Sequence, residues 1–339
     1  MSKRNVVLLA GFLSFATLAG SACAQQYFQG KTVRIVVGLS PGGGFDTYAR
    51  VIGRHLSKHV AGNPTVIVDN MPGAGSIVMT NYLYKVAKPD GLTVGHFNGA
   101  IILGQMLGQK GIQFDARRFE YLGAAVKEDV VCSLTKASGI TSIDAWRASK
   151  TPVKLGGVAP GATPDNAGRI LAAALGLPVQ VVSGYKGTSG IRRAAESGEL
   201  AGGCWSWESM FVTWRQSLES GVVKPIIQIV ASSLPKLDQV PLAISLAKTP
   251  EERRLIEVGV QNSSAFARPF ALPPGTPKDR VKLLHDGFHA TLKDPAFLAE
   301  AKKARLGIDP VSGADMLKLV GDIFTLDAPL RAKLKAALY

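Results

Sequence analysis

Cysteine is scarce, with three in 339 residues, and neither the cysteines nor the five histidines cluster at metal-ligand spacing. His55/His59 and His285/His289 each stand one helical turn apart, and with no cysteine or further histidine beside either pair both read as helix surface. The glycine-rich turns fit neither a dinucleotide fingerprint nor a Walker motif with its lysine, which argues against nucleotide binding. No basic run is interleaved with aromatics, so the formal charge of +14 points to solubility and a field mildly attractive to anions, not to nucleic acid. Past the first two dozen residues no run is apolar for long enough to span a membrane. With 46% apolar residues the chain is globular, and its length exceeds one ordinary core, so two domains are expected.

What is present begins with an address. Lys3 and Arg4 precede an apolar core, Val6 to Ala19, and Ala22-Cys23-Ala24 places small residues at minus three and minus one before Gln25. Residues 1–24 read as a cleavable signal peptide, and the mature protein is expected to be soluble and periplasmic. A lipoprotein anchored at Cys23 is the lesser reading, because Gly20 stands where a lipobox has an aliphatic residue. Losing Lys3 and Arg4 takes the charge from +14 to +12. Cys132 and Cys204 remain; the compartment permits a disulfide between them, and two small buried thiols fit as well.

The chain is organised around Ser40-Pro41-Gly42-Gly43-Gly44-Phe45-Asp46. An apolar run, Val33 to Leu39, reads as a strand before it, and Ala49, Ile52, Leu56 and Val60 at helical spacing read as a helix after it, with Asp46 at the N-cap. Backbone N–H groups at such a helix start have no partner within the helix, the helix dipole favours an anion there, and glycines let a ligand approach. A second strand, Thr65–Val68, leads to a second glycine turn, Asp69 to Ser76, again before a helix. A third strand, Leu92–Phe97, ends at Asn98-Gly99. Strand, glycine loop and helix in repetition mean a parallel sheet with ligands beyond its carboxyl ends. From Val130 the pattern restarts: strands Val130–Leu134, Val153–Val158, Val179–Ser183, Leu200–Cys204 and Val223–Ala231, with loops Ala159–Asp165 and Gly184–Ser189. Thr163 suits an N-cap there, Pro164 the first helical position and Asp165 the dipole. Ala265–Ala271 reads as a strand returning to the first lobe, and Lys278 to Tyr339 is mostly helical.

Together, KTVRIVVGLSPGGGFD, TVIVDNMPGAG, KPDGLTV, GGVAPGATPD, SGYKG and RPFALPPGTPKDRV resemble the Bug-type periplasmic solute receptors of tripartite tricarboxylate transporters, in that family's order over nearly all of the mature chain. The resemblance implies an α/β, two-lobed periplasmic-binding-protein (Venus flytrap) fold, each lobe a mainly parallel sheet flanked by helices. The expected division is 25–127 plus 260–339 for the first lobe and 128–259 for the second. It further implies capture of a carboxylate for a membrane permease, by a monomer without cofactor, metal or catalytic residues.

By position, the resemblance places Pro41, Gly42, Gly43, Gly44, Phe45 and Asp46, with Gly73, Ala74, Gly75 and Ser76, as two pincers holding a ligand carboxylate. Asn98 lies at the third strand end, and Gly161, Thr163, Asp165, Tyr185 and Lys186 read the ligand's far part. Trp205 is a candidate cleft wall, with Trp207 and Trp214 as core. Phe45, Ser76, Trp205 and Trp207 depart from the family's usual residues and leave the ligand's identity open. Asp46 is a helix cap or a contact for a ligand amine, and Lys186 pairs with a carboxylate or faces water. Two other functions fit parts of the sequence: a ligand sensor with the same pocket, and an exported hydrolase built on the SxxK match Ser183/Lys186. The latter needs Ser183 to open a helix, and a loop is expected there.

Overall fold

The computed structural model describes residues 27–339; the expected signal peptide, Cys23 included, lies outside them. In chain order the strands are β1 Thr32–Val37, β2 Thr65–Asn70, β3 Thr93–His96, β4 Glu120–Ala124, β5 Val130–Thr135, β6 Val153–Gly156, β7 Val179–Val182, β8 Gly202–Ser206, β9 Val223–Ile229, β10 Phe270–Leu272 and β11 Val311–Ser312. The longer helices are α1 Gly44–Leu56, α2 Ile77–Lys85, α3 Thr163–Leu175, α4 Thr188–Glu196, α5 Trp207–Thr213, α6 Pro250–Gly259, α7 Lys278–Thr291, α8 Pro295–Lys303, α9 Gly313–Ile323 and α10 Ala328–Leu338.

Val33, Ile35, Val36 and Val37 are all buried, so β1 is covered on both faces, as a central strand of an α/β sheet must be. It pairs in parallel with β2 and β3, and the first sheet runs β11-β4-β10-β3-β1-β2. The second sheet runs β7-β6-β8-β5-β9. The two helix-flanked sheets are those of a two-lobed α/β protein. Neither is parallel throughout: β10 is antiparallel to β3 and β4, and β5 is antiparallel to β8 and β9. The cause is the crossing of the chain between sheets. Phe270 opens β10 opposite His96, where β3 ends, and Val130 opens β5 opposite Ser206, where β8 ends. A chain arriving from the other sheet enters at the edge where the resident strands finish, and so must run the other way. This shared edge is the seam between the sheets.

One alternative left open by the sequence closes here. Cys132 and Cys204 face each other across β5 and β8 and form a disulfide, so the buried-thiol alternative falls. Leu330, Leu334 and Leu338 of α10 are buried against α3 and α6, and Ile170 and Leu334 fill the space beside Gly259 on α6. An apolar stripe packs against whichever face is nearest and dry, whatever its place in sequence. No helix among the described residues is long and apolar enough to cross a membrane.

Candidate functional site

The first loop is locked from within. Asp46 accepts hydrogen bonds from the Gly42 N–H, Arg50 Nε and Asn70 Nδ2, each at 3.0 Å, and Asn70 Nδ2 also donates to Leu39 O at 2.9 Å. Burial pushes the Asp46 carboxyl up, but Arg50, the Gly42 N–H and Asn70 together hold it below the usual range. The helix therefore starts earlier than the sequence pattern implies: Gly43 is the N-cap, without a side-chain cap bond, and Asp46 lies inside the first turn. The seam-facing start of α1 is uncapped backbone.

In the second loop Gly73, Ala74, Gly75 and Ser76 have φ of 153°, 45°, 65° and 89°. A run in this half of the map costs energy at Ala74 and Ser76. Ser76 is buried and its Oγ accepts from the Asn98 N–H at 3.2 Å. Asn98 Oδ1 in turn accepts from the Ala100 N–H at 2.9 Å.

The second lobe meets these loops directly. Ser40 N–H donates to Lys186 O at 3.0 Å. A Cβ on Gly43 would lie 3.2 Å from Thr188 Oγ1, one on Gly44 would overlap the Ser209 hydroxyl, and one on Gly75 would lie 3.1 Å from the Ala162 methyl. Between the lobes remains a cavity of about 430 Å³ lined by Gly73–Gly75, Val158–Pro160 and Ser183–Lys186. Gln109 bridges its rim, donating to Pro160 O at 2.6 Å and accepting from the Tyr339 hydroxyl at 2.9 Å.

Of the residues expected in the site, Gly73, Ala74, Gly75, Tyr185 and Lys186 line this cavity. Lys186 is exposed and the Tyr185 hydroxyl pairs with Glu199. Pro41 to Gly44 lie on the first-lobe side of the seam, Pro41 and Gly42 exposed and Gly43 and Gly44 buried. Gly161 is buried beneath Gln109 and Tyr339. Three side chains have other work. Asp165 accepts from the Val158 and Ala159 N–H groups at 2.6 and 3.0 Å and from the Ser183 hydroxyl, which pins the 157–159 turn. Trp205 is 1% exposed and stacks on Trp214 in the core, so it is not a cleft wall. Thr163 is the first residue of α3, not its cap, and Ala162 takes that position. The Thr163 hydroxyl donates to Glu128 Oε2 at 2.8 Å and lies 3.2 Å from Asn98 Oδ1, across the seam. Ser183 bonds to Asp165 and lies outside any helix, so Lys186 is not one helical turn away as an SxxK site requires.

Sequence reasoning missed a buried polar cluster at the crossing end of the seam. Arg268, 2% exposed, reaches Ser206 Oγ at 2.7 Å, Ser209 Oγ at 2.6 Å and Glu128 Oε1 at 3.4 Å, and stacks over Phe45. Phe45 also leans on His96, which is itself stacked on Phe270. Burial lowers His96 to about 3, so it is a neutral ring donating from Nδ1 to Pro269 O. Burial also raises Glu128, against the pull of Arg268 and Thr163. Arg268 had only a weak signal, a lone cation inside an apolar run. Among the described residues no group of three or more His, Cys, Asp and Glu side chains is placed to hold a metal ion.

A family profile described as tripartite tricarboxylate transporter family receptor matches residues 48–330. The chain belongs to this receptor family. A UPF0065 protein of a Pseudomonas species is 25% identical to the receptor over 325 residues, 95% of this chain and 90% of that one. One from Cupriavidus necator is 34% identical over 100 residues, a match that spans only 29% of its length. Among solved structures, the periplasmic binding protein BugD superposes with a TM-score of 0.74 at 20% identity, covering 91% of the receptor and 98% of BugD. MatC from Rhodopseudomonas palustris with bound malate gives 0.73 at 18% identity, over 91% and 100% of the two chains. An R. palustris protein with adipate gives 0.71 at 20%, over 90% and 97%. These likenesses fix the fold as that of a two-lobed periplasmic binding protein.

Proposed function

We propose that the receptor is exported through the signal peptide 1–24, captures an organic acid anion between its lobes in the periplasm, and delivers it to the permease of a tripartite tricarboxylate transporter. The observations that carry the reading are the uncapped start of α1 at Gly43, set in a seam that the second lobe closes, and a cavity of about 430 Å³ lined by Gly73–Gly75 of the second loop with Val158–Pro160 and Ser183–Lys186. That volume suits a small acid, and exclusion of water strengthens N–H···carboxylate bonds. The pincers Pro41–Asp46 and Gly73–Ser76 supply backbone donors, while the side chains of Asp46 and Asp165 shape the loops and do not touch the ligand. Asn98 and Thr163 join the lobes, and Tyr185 and Lys186 face the ligand's far end. The lobes are 25–127 with 260–327, and 128–259 with 328–339. The malate and adipate bound by the two R. palustris proteins are the first acids to try.

The test is thermal-shift and calorimetric screening of the mature chain against carboxylic acids and their neutral amides. At least one acid should raise the melting temperature and bind, with its amide inert. Equal binding of acid and amide, or no response to any acid, would sink the reading.

A further inference from the structure

Arg268 is held by the first sheet. Gly99 N–H donates to Ala267 O at 2.8 Å and His96 Nδ1 to Pro269 O at 3.0 Å, which fixes the chain on both sides of Arg268 against the end of β3. Its partners across the seam are the hydroxyls of Ser206 and Ser209, on β8 and α5. All of its hydrogen bonds, including the 3.4 Å contact to Glu128, leave from Nη2. Nε and Nη1 are buried with no acceptor. A guanidinium carries five N–H donors in a rigid plane, and buried donors without acceptors are costly. Pairing with Glu128 accounts for one nitrogen and leaves two unexplained. The Ser209 hydroxyl held by Nη2 also occupies the space beside Gly44, so the guanidinium stands next to the uncapped first turn of α1.

We infer that Arg268 is a specificity-determining residue that binds a second anionic group on the ligand through the donors the protein leaves unmet. The inference rests on the carboxylate-receptor reading above. The first anionic group sits on the pincers. When the lobes part, Ser206 and Ser209 move away with the second lobe, and the guanidinium stays on the first at the floor of the open seam. A ligand with anionic groups at both ends then bridges the pincer amides and Arg268, and re-closure seals it. A monoanion uses the pincers alone and gains nothing from Arg268.

The experiment is calorimetry of the mature chain with two matched pairs, adipate against hexanoate and succinate against butyrate, on wild type, Arg268→Gln and Glu128→Gln. Arg268→Gln should weaken the better-bound diacid about 30-fold and its monoacid by no more than about 3-fold, the loss expected for a charge-assisted hydrogen bond made by one of them only. Glu128→Gln removes the competing internal anion, so diacid binding should hold or tighten. Equal losses for diacid and monoacid in Arg268→Gln, or loss of both in Glu128→Gln, would make the pair purely structural and overturn the inference. Should wild type bind no acid of either kind, the parent reading itself has failed. If Arg268→Gln does not fold, the Glu128→Gln comparison decides alone.

Discussion

The absence of one methyl group at Gly44 lets the lobes meet. Gly44 lies in the first turn of α1 with ordinary helical geometry, so alanine is tolerated by the first lobe itself, but its Cβ would overlap the Ser209 hydroxyl across the seam. Gly44→Ala should leave the far-ultraviolet spectrum intact and weaken ligand binding about 100-fold, because the closed state becomes rare; unchanged affinity in calorimetry would contradict this. The glycines were legible in the sequence because a strand followed by a glycine run and a helix leaves few other geometries. The roles of Asp46, Thr163 and Asp165 were not. Each sits near a helix start, where sequence alone reads a cap or a dipole partner, yet Asp46 and Asp165 reach back to N–H groups upstream of their helices and Thr163 points across the seam. Trp205 was misplaced because a tryptophan at a strand end fits core and cleft equally until its stacking partner, Trp214, is known.

At the scale of elements, the second loop stores strain. Ala74, at φ 45°, and Ser76, at φ 89°, are non-glycine residues in left-handed backbone. Ala74→Gly should stabilise the protein by about 1 kcal/mol, the cost of that conformation for a residue with a Cβ, as read from denaturant midpoints. A loss of stability would mean that the added freedom of the unfolded chain outweighs the strain. Most strands and long helices were readable from periodicity and from glycine and proline punctuation. β4 was not: Glu-Tyr-Leu-Gly-Ala is short, contains glycine and shows no clean alternation, and only its neighbours β10 and β11 define it. The reversed direction of β5 and β10 was equally invisible, because it follows from where the chain enters each sheet. The docking of α10 on α3 and α6 belongs to the same class, since its leucine stripe says that it packs but not on what.

For the whole molecule, closing the seam buries an acid. Glu208, at the start of α5, sits against Gly307 of the first lobe, with its Cγ 3.2 Å from where a Cβ on that glycine would be. Burial, reinforced by the negative charge of Asp129 and opposed by Arg268, pushes it up to about 7. The closed fold thus keeps a proton that the unfolded chain, with an ordinary glutamate near 4.3, gives up. That stabilisation is complete below the unfolded value and is lost as pH rises through about 7. The melting temperature should therefore fall between about pH 5 and pH 8, and Glu208→Gln should flatten the fall; an identical slope in the variant would assign the effect to other groups. The two-lobed plan was visible in the sequence as a pattern that restarts, whereas the seam was not, because its cluster draws Asn98, Glu128, Thr163, Ser206 and Arg268 from far-apart stretches.

The disulfide has a mechanical consequence. Cys132 and Cys204 are 72 residues apart in sequence, and the loop they close holds β6, β7 and the helices that follow them. If the folded chain is pulled by its ends in an optical trap, that loop is bypassed by the covalent link and contributes no length to the extended polymer. Adding a reductant should lengthen the fully stretched trace by roughly 250 Å, at about 3.5 Å per residue for the released segment.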